Sequence, residues 1–130
     1  GSVRSLLSSS TGRVFGAYMP RSITGPFIDR ELSGAPHPGG TPNKAIAKMT
    51  KSDVDALFES VRVRKLAAIK GDLNPALHGV SAPVFDHAGA VAGVITVMGS
   101  AGLIGTDLDA TVAHTLAVRA AEVSRRMGYA

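Results

Sequence analysis

The stretch "SAPVFDHAGAVAGVITVMG", residues 81–99, decides the fold. It joins two apolar runs, "LHGVSAPVFD" (77–86) and "VAGVITVMG" (91–99), through the short segment "HAGA". Both runs are apolar at alternate residues and small at several others, the pattern of strands whose side chains point to two faces. Gly89 in the connection supplies a turn residue, so the spacing predicts an antiparallel hairpin. "KLAAIK" (65–70) and "SVRSLL" (2–7) are weaker strand candidates.

Helical patterns lie on both sides of the hairpin. After it, Thr106 is expected to cap a helix with Asp107 and Asp109 in its first turn and Arg125 and Arg126 near its negative end. Leu108, Val112, Leu116, Ala120, Val123 and Met127 recur at steps of three or four and form its expected buried stripe, and Gly128 stops it. Before the hairpin, Ser52 and Asp55 have capping-box spacing, and Val54, Leu57, Phe58 and Val61 give one apolar face. Residues 9–19 read as a short helix, capped by Ser8, Ser9 or Ser10 and ended by Pro20. A second short helix is expected over 26–33, with Pro26 early and Gly34 as the stop, followed by a loop in "APHPGGTPN" (35–43). The sum is an α+β domain, an antiparallel sheet flanked by helices.

Composition narrows the function classes. The 130 residues suit one domain, and the 45% hydrophobic fraction excludes a disordered chain. The absence of cysteine excludes disulfides, thiolate catalysis and thiolate metal sites. No run approaches the roughly 18 apolar residues of a membrane span, so the expected location is cytoplasmic. The net charge of +4 permits nucleic-acid binding without implying it. Seven cations between Lys44 and Lys70 are scattered among apolar residues, as on a solvated helix face. His37, His78, His87 and His114 have no metal-ligand spacing, so neither metal nor cofactor is expected.

"SSSTG" (8–12) admits four readings: nucleophile, phosphate cradle, ligand-binding edge or helix cap. A Ser9 or Ser10 nucleophile needs a base and an elbow that the sequence does not supply, which leaves a serine hydrolase as the minor alternative. The phosphate cradle needs a second glycine and a Lys-Ser/Thr pair. Thr41 and Lys44 have Ser-x-x-Lys spacing but no companion motifs. Spacing alone leaves a cap or a seat for a small anion at a helix start.

Several segments together resemble the effector-binding domain of IclR-type transcriptional regulators. "SSSTGRVFGAYMP" is similar to the family's small-residue run before Gly-Arg/Lys and a short helix ending in Leu-Pro or Met-Pro. "VRVRKLAAI" resembles Ile-Arg-x-Arg-Gly-Tyr-Ala. "DLNPALHGVSAPVFDHAGAVAGVITVMG" resembles the core with Ala-Ala-Pro-Val-Phe-Asp, and "EVSRRMG" the terminal Glu-Leu-Ser-x-Arg-Leu-Gly. The resemblance spans about residues 3–128 and is poorest over 35–50.

The resemblance implies a GAF-like sheet flanked by helices, truncated at its N-terminal side. Residues 1–130 would then be a partial effector-binding domain, with the family's winged helix-turn-helix absent. It implies a ligand sensor and not an enzyme, acting as a homodimer or homotetramer, with operator DNA read only through the missing domain. Its effector would lie between sheet and helices, carried over to Ser10 and Thr11 at the helix start, Ile69, Leu77 and Gly79, and Thr96 and Met98. Leu77/Gly79 and Thr96/Met98 are each two residues apart, so each pair shares one sheet face.

Departures from the family pattern shape the expected ligand. Ile69 stands where many relatives are acidic, Met98 where they are polar, and Gly79 where a cysteine or other small side chain is common. Lys65 and Leu66 replace Gly and Tyr, and Ala76 replaces a glycine. The pocket is therefore more apolar, and the expected effector is a small organic acid with an aromatic or aliphatic body. A GAF-like dimerisation module without ligand, its pocket filled by its own side chains, is the other alternative.

Overall fold

The computed structural model describes residues 5–35, 44–70 and 76–130. The hairpin forms as the alternation requires. β2 (Leu77–Phe85) and β3 (Val91–Ser100) pair antiparallel, from Leu77 opposite Ser100 to Phe85 opposite Val91. Gly89 adopts φ 78° in the connection, and the Asp86 carboxylate accepts the N–H groups of Ala88 at 2.8 Å and Ala90 at 3.1 Å. β1 (Ala67–Lys70) adds to the other side of β2, giving the order β1-β2-β3. β2 is thus central, and buried from His78 to Phe85. β1 ends opposite Ser81, so Pro83 lies where β2 has one neighbour only, a position that tolerates a residue with no N–H.

The two faces of the sheet carry different layers. Val80, Ala82 and Val84 pack with Leu66 and Ile104 beneath α5 (Thr111–Arg126), which contributes Ala113, Leu116 and Ala120. The opposite face is covered by α1 (Ser10–Tyr18), against which α4 (Lys51–Arg64) packs. Leu7, Val14, Val54, Phe58, Val61 and Ala67 form the core there, and α2 (Arg21–Leu32) and α3 (Lys44–Ala47) add Ile28 and Ile46. Helices α1 and α4 approach so closely at Gly16 that a Cβ there would overlap the Phe58 ring.

Several helix boundaries differ from the sequence expectation, each for a local reason. α2 starts at Arg21, because the Pro20 carbonyl accepts from Ile23 and Thr24 at 2.9 and 3.1 Å and nucleates the turn five residues early. Pro26 therefore lies inside the helix, exposed, where it removes one i→i−4 bond. α4 is capped by Thr50, not Ser52. Thr50 Oγ1 accepts from the Asp53 N–H at 3.1 Å, and the Asp53 carboxylate accepts the Thr50 N–H at 2.8 Å. Those hydrogen bonds hold the Asp53 carboxyl below its ordinary pKa.

α5 begins at Thr111 after Ala110, not at Thr106. Asp107 instead folds its carboxylate onto the Asp109 N–H at 2.9 Å in the preceding turn. The buried stripe is Ala113, Leu116, Ala120 and Ser124, while Val112, Val123 and Met127 are exposed. Small residues face the sheet, because α5 lies close to β2: the Ser124 hydroxyl accepts the Phe85 N–H at 3.0 Å. Ser5, Leu6 and Leu7 form no strand, and Leu7 is buried against the α1–α4 core. The rest of "SVRSLL", residues 36–43 with His37 and Thr41, and "DLNP" (72–75) lie outside the described residues.

Candidate functional site

The N-terminal end of α1 sits over the sheet face that carries Gly79, Ser81 and Thr96. Strand register places Ile69, Gly79 and Met98 in one row, and Ala67, Ser81 and Thr96 in the next. Glycine at 79 permits this approach, because a Cβ there would stand 3.0 Å from Ser10 Oγ. The helix start and the sheet then meet through hydroxyls. Ser81 Oγ donates to Ser10 Oγ at 2.8 Å and lies 2.6 Å from Thr96 Oγ1. Thr11 Oγ1 lies 2.7 Å from Thr96 Oγ1 and 3.5 Å from Ser81 Oγ. Ser81 is fully buried and Ser10 nearly so. Buried hydroxyls are unfavourable unless hydrogen-bonded, and here each finds its partner within the cluster.

Helix capping is divided among the serines more sharply than spacing indicated. Ser9 alone caps α1, its Oγ accepting from the Gly12 N–H at 3.0 Å and donating to the Ser5 carbonyl at 2.7 Å. Ser10 and Thr11 are the first two helical residues, and their side chains turn to the sheet. Their backbone N–H groups, at the positive end of the helix, find no acceptor among the described residues. The Ser9 hydroxyl is engaged with backbone and the Ser10 hydroxyl with Ser81, so neither is paired with a general base.

Of the residues predicted from sequence, Ser10, Thr11, Gly79 and Thr96 come together directly. Ile69 lies opposite Gly79, and Met98 Cγ is 3.7 Å from where a Gly79 Cβ would be. Met98 is exposed on the edge strand, and Leu77 is exposed at the end of β2, so both stand at the rim. Sequence reasoning missed Ser81, the hub of the cluster. The signal was present: Ser81 follows Gly79 by two residues on the same face, in register with Thr96. His78 points to the other face, with Nδ1 2.7 Å from the Ile104 carbonyl oxygen. Among the described residues, no three His, Asp or Glu side chains gather as metal ligands, and no helix is long and apolar enough to cross a membrane.

No family model matches the chain, and no curated protein does. Solved structures do. HmgR of Pseudomonas aeruginosa is 37% identical and superposes with a TM-score of 0.81 over 99% of this chain and 47% of its own. IclR of Thermotoga maritima superposes with a TM-score of 0.68 at 22% identity, over 95% of this chain and 47% of its own. The C-terminal domain of the E. coli transcriptional regulator KdgR gives 0.68 at 17% identity, over 95% of this chain and 71% of that one. The chain has the fold of an IclR-family C-terminal domain. It spans about half the length of HmgR and of the Thermotoga IclR. The hydroxyl cluster lies between the start of α1 and the strands β2 and β3.

Proposed function

We propose that the chain is the effector-sensing part of an IclR-type regulator, a partial effector-binding domain over residues 1–130, and that it holds a small organic acid between the start of α1 and the sheet. The observation that carries this reading is the buried hydroxyl cluster Ser10–Ser81–Thr96–Thr11 beneath a helix start, within an otherwise apolar core. A carboxylate entering there meets the N–H groups of Ser10 and Thr11 and the Thr96 hydroxyl. Its aromatic or aliphatic body lies along Ile69, Gly79, Met98 and the rim residue Leu77. The ligand takes over hydrogen bonds that the hydroxyls otherwise make to one another, so entry leaves no buried polar group unpaired. Effector binding then biases the arrangement of a homodimer or homotetramer, which a winged helix-turn-helix elsewhere in the protein reads out on operator DNA in the cytoplasm.

A second reading, a dimerisation module without ligand, draws support from the same distances, since the hydroxyls satisfy one another. Calorimetry with small aromatic and aliphatic carboxylates separates the two. Thr96→Val is expected to weaken a bound carboxylate by about 1 kcal/mol, the scale of one neutral hydrogen bond. Ser10→Pro is expected to weaken it more than Ser10→Ala, because it also removes an N–H donor at the first helical position, where proline is tolerated. A ligand whose affinity neither Thr96→Val nor Ser10→Pro changes binds elsewhere. Failure of every carboxylate to bind favours the module without ligand.

A further inference from the structure

Lys65 carries the one positive φ outside glycine among the described residues, 53°. It ends α4 in the left-handed conformation, its N–H bonded to the Val61 carbonyl at 2.7 Å. Glycine would end the helix there without strain, and nothing in the helix stop requires a side chain. Strained residues persist where their side chain has a use. Here the chain bends so that Lys65 Nζ lies 5.8 Å from the centre of the Phe85 ring and 5.9 Å from that of Tyr129. The two rings stack, with centroids 4.9 Å apart and planes 30° from parallel.

These groups line a groove of about 340 Å³ against α5, on the sheet face opposite the hydroxyl cluster. Its wall is small and apolar, with Ala82 from β2 and Ala117 and Ala121 from α5. Two further cations reach it. Arg64 is paired with Asp109 at 2.7 Å, whereas Arg125 forms no ion pair among the described residues. The groove thus joins a stacked aromatic surface, a flat alanine wall and an excess of positive charge in a volume suited to one small molecule.

We propose that this groove is a second ligand site, independent of the one above, and that it takes a flat aromatic carboxylate. The ring lies between the alanine wall and Tyr129, and the carboxylate faces Lys65 and Arg125. The left-handed backbone at Lys65 is what aims its ammonium into the groove.

NMR titration of the 130-residue chain with 2-naphthoate tests this. The expected result is saturable movement of the Ala117 and Ala121 methyl signals and the Tyr129 ring signals. Lys65→Gly is expected to weaken binding roughly tenfold, the scale of one partly desolvated cation contact, without lowering the melting temperature, because glycine relieves the left-handed strain. Arg125→Ala, an exposed helix change, is expected to weaken it in the same direction. Thr96→Val should leave this affinity untouched, which separates the groove from the hydroxyl site. The proposal is overturned if Lys65→Gly and Arg125→Ala bind 2-naphthoate as the parent does, or if only the Thr11 and Thr96 signals move while those of Ala117, Ala121 and Tyr129 stay in place. It is equally overturned if acetate binds as tightly, since the aromatic body would then contribute nothing.

Discussion

β2 buries two faces that solve the same packing problem differently. Toward α5 it presents Val80, Ala82 and Val84 to Ala113, Leu116 and Ala120, an interface of apolar groups that carries few hydrogen bonds. Toward α1 it presents Gly79 and Ser81, and the contact is made through the hydroxyls of Ser10, Ser81, Thr96 and Thr11. Apolar burial is non-directional and tolerates many occupants of similar volume. A buried hydroxyl cluster has geometry to satisfy, and its groups can exchange partners with an incoming polar molecule. The α5 face therefore reads as scaffold, and the α1 face as the one that retains polar groups inside the protein.

The largest expected effect probes the scaffold beneath the polar face. Phe58 is fully buried and lies against Gly16, where no side chain can fill a vacancy. Phe58→Ala should destabilise the fold by about 3–5 kcal/mol, measured by denaturant unfolding. A loss below about 1 kcal/mol would mean that α1 and α4 do not rest on this contact, and that the hydroxyl cluster holds α1 in place by itself.

A smaller effect sharpens the contrast between the faces. Ser81→Ala leaves the buried Ser10 hydroxyl without its partner and should cost about 1–3 kcal/mol, although it removes a single oxygen. Adding Ser10→Ala should then cost little or restore stability, because the unpaired group is gone. Additive losses in the double variant would break the view that these two hydroxyls are coupled.

The smallest effect has the opposite sign. Tyr18 packs edge-on against Phe85, with ring centroids 5.1 Å apart, and its buried hydroxyl finds no hydrogen-bond partner among the described residues. Tyr18→Phe should be neutral or stabilising by up to about 1 kcal/mol. Burial raises the Tyr18 pKa above its ordinary value of 10.0, partly offset by the Arg62 charge. Below pH 10 the phenol is protonated in both folded and unfolded chains and contributes no pH dependence. As pH rises through 10 the unfolded phenol loses its proton first, so stability falls, and Tyr18→Phe should flatten that fall in melting temperature. An unchanged alkaline slope in the variant would assign the loss to another group.

Much of this arrangement was legible in the residues. Period-two alternation over 77–99 with Gly89 between fixed the hairpin, because strand faces follow from side-chain geometry alone. The same alternation put Leu77, Gly79, Thr96 and Met98 on one face, and the serine run before Gly12 announced a helix start. Sequence could not say which of several capping residues would act. Thr50 outcompeted Ser52, and Ser9 alone took the cap for which Ser8, Ser9 and Ser10 were all candidates, because capping depends on backbone angles set by neighbouring turns. Nor could it orient α5. A stripe through Val112, Val123 and Met127 fits helical periodicity as well as one through Ala113 and Ser124, and only close packing on β2 selects the smaller residues. Ser81 as the hub, and Lys65 turned over Phe85 and Tyr129, join residues 15 to 71 positions apart. Local pattern determines which face a side chain points to; what it meets there depends on which distant segment the fold lays against it, and that is decided in three dimensions.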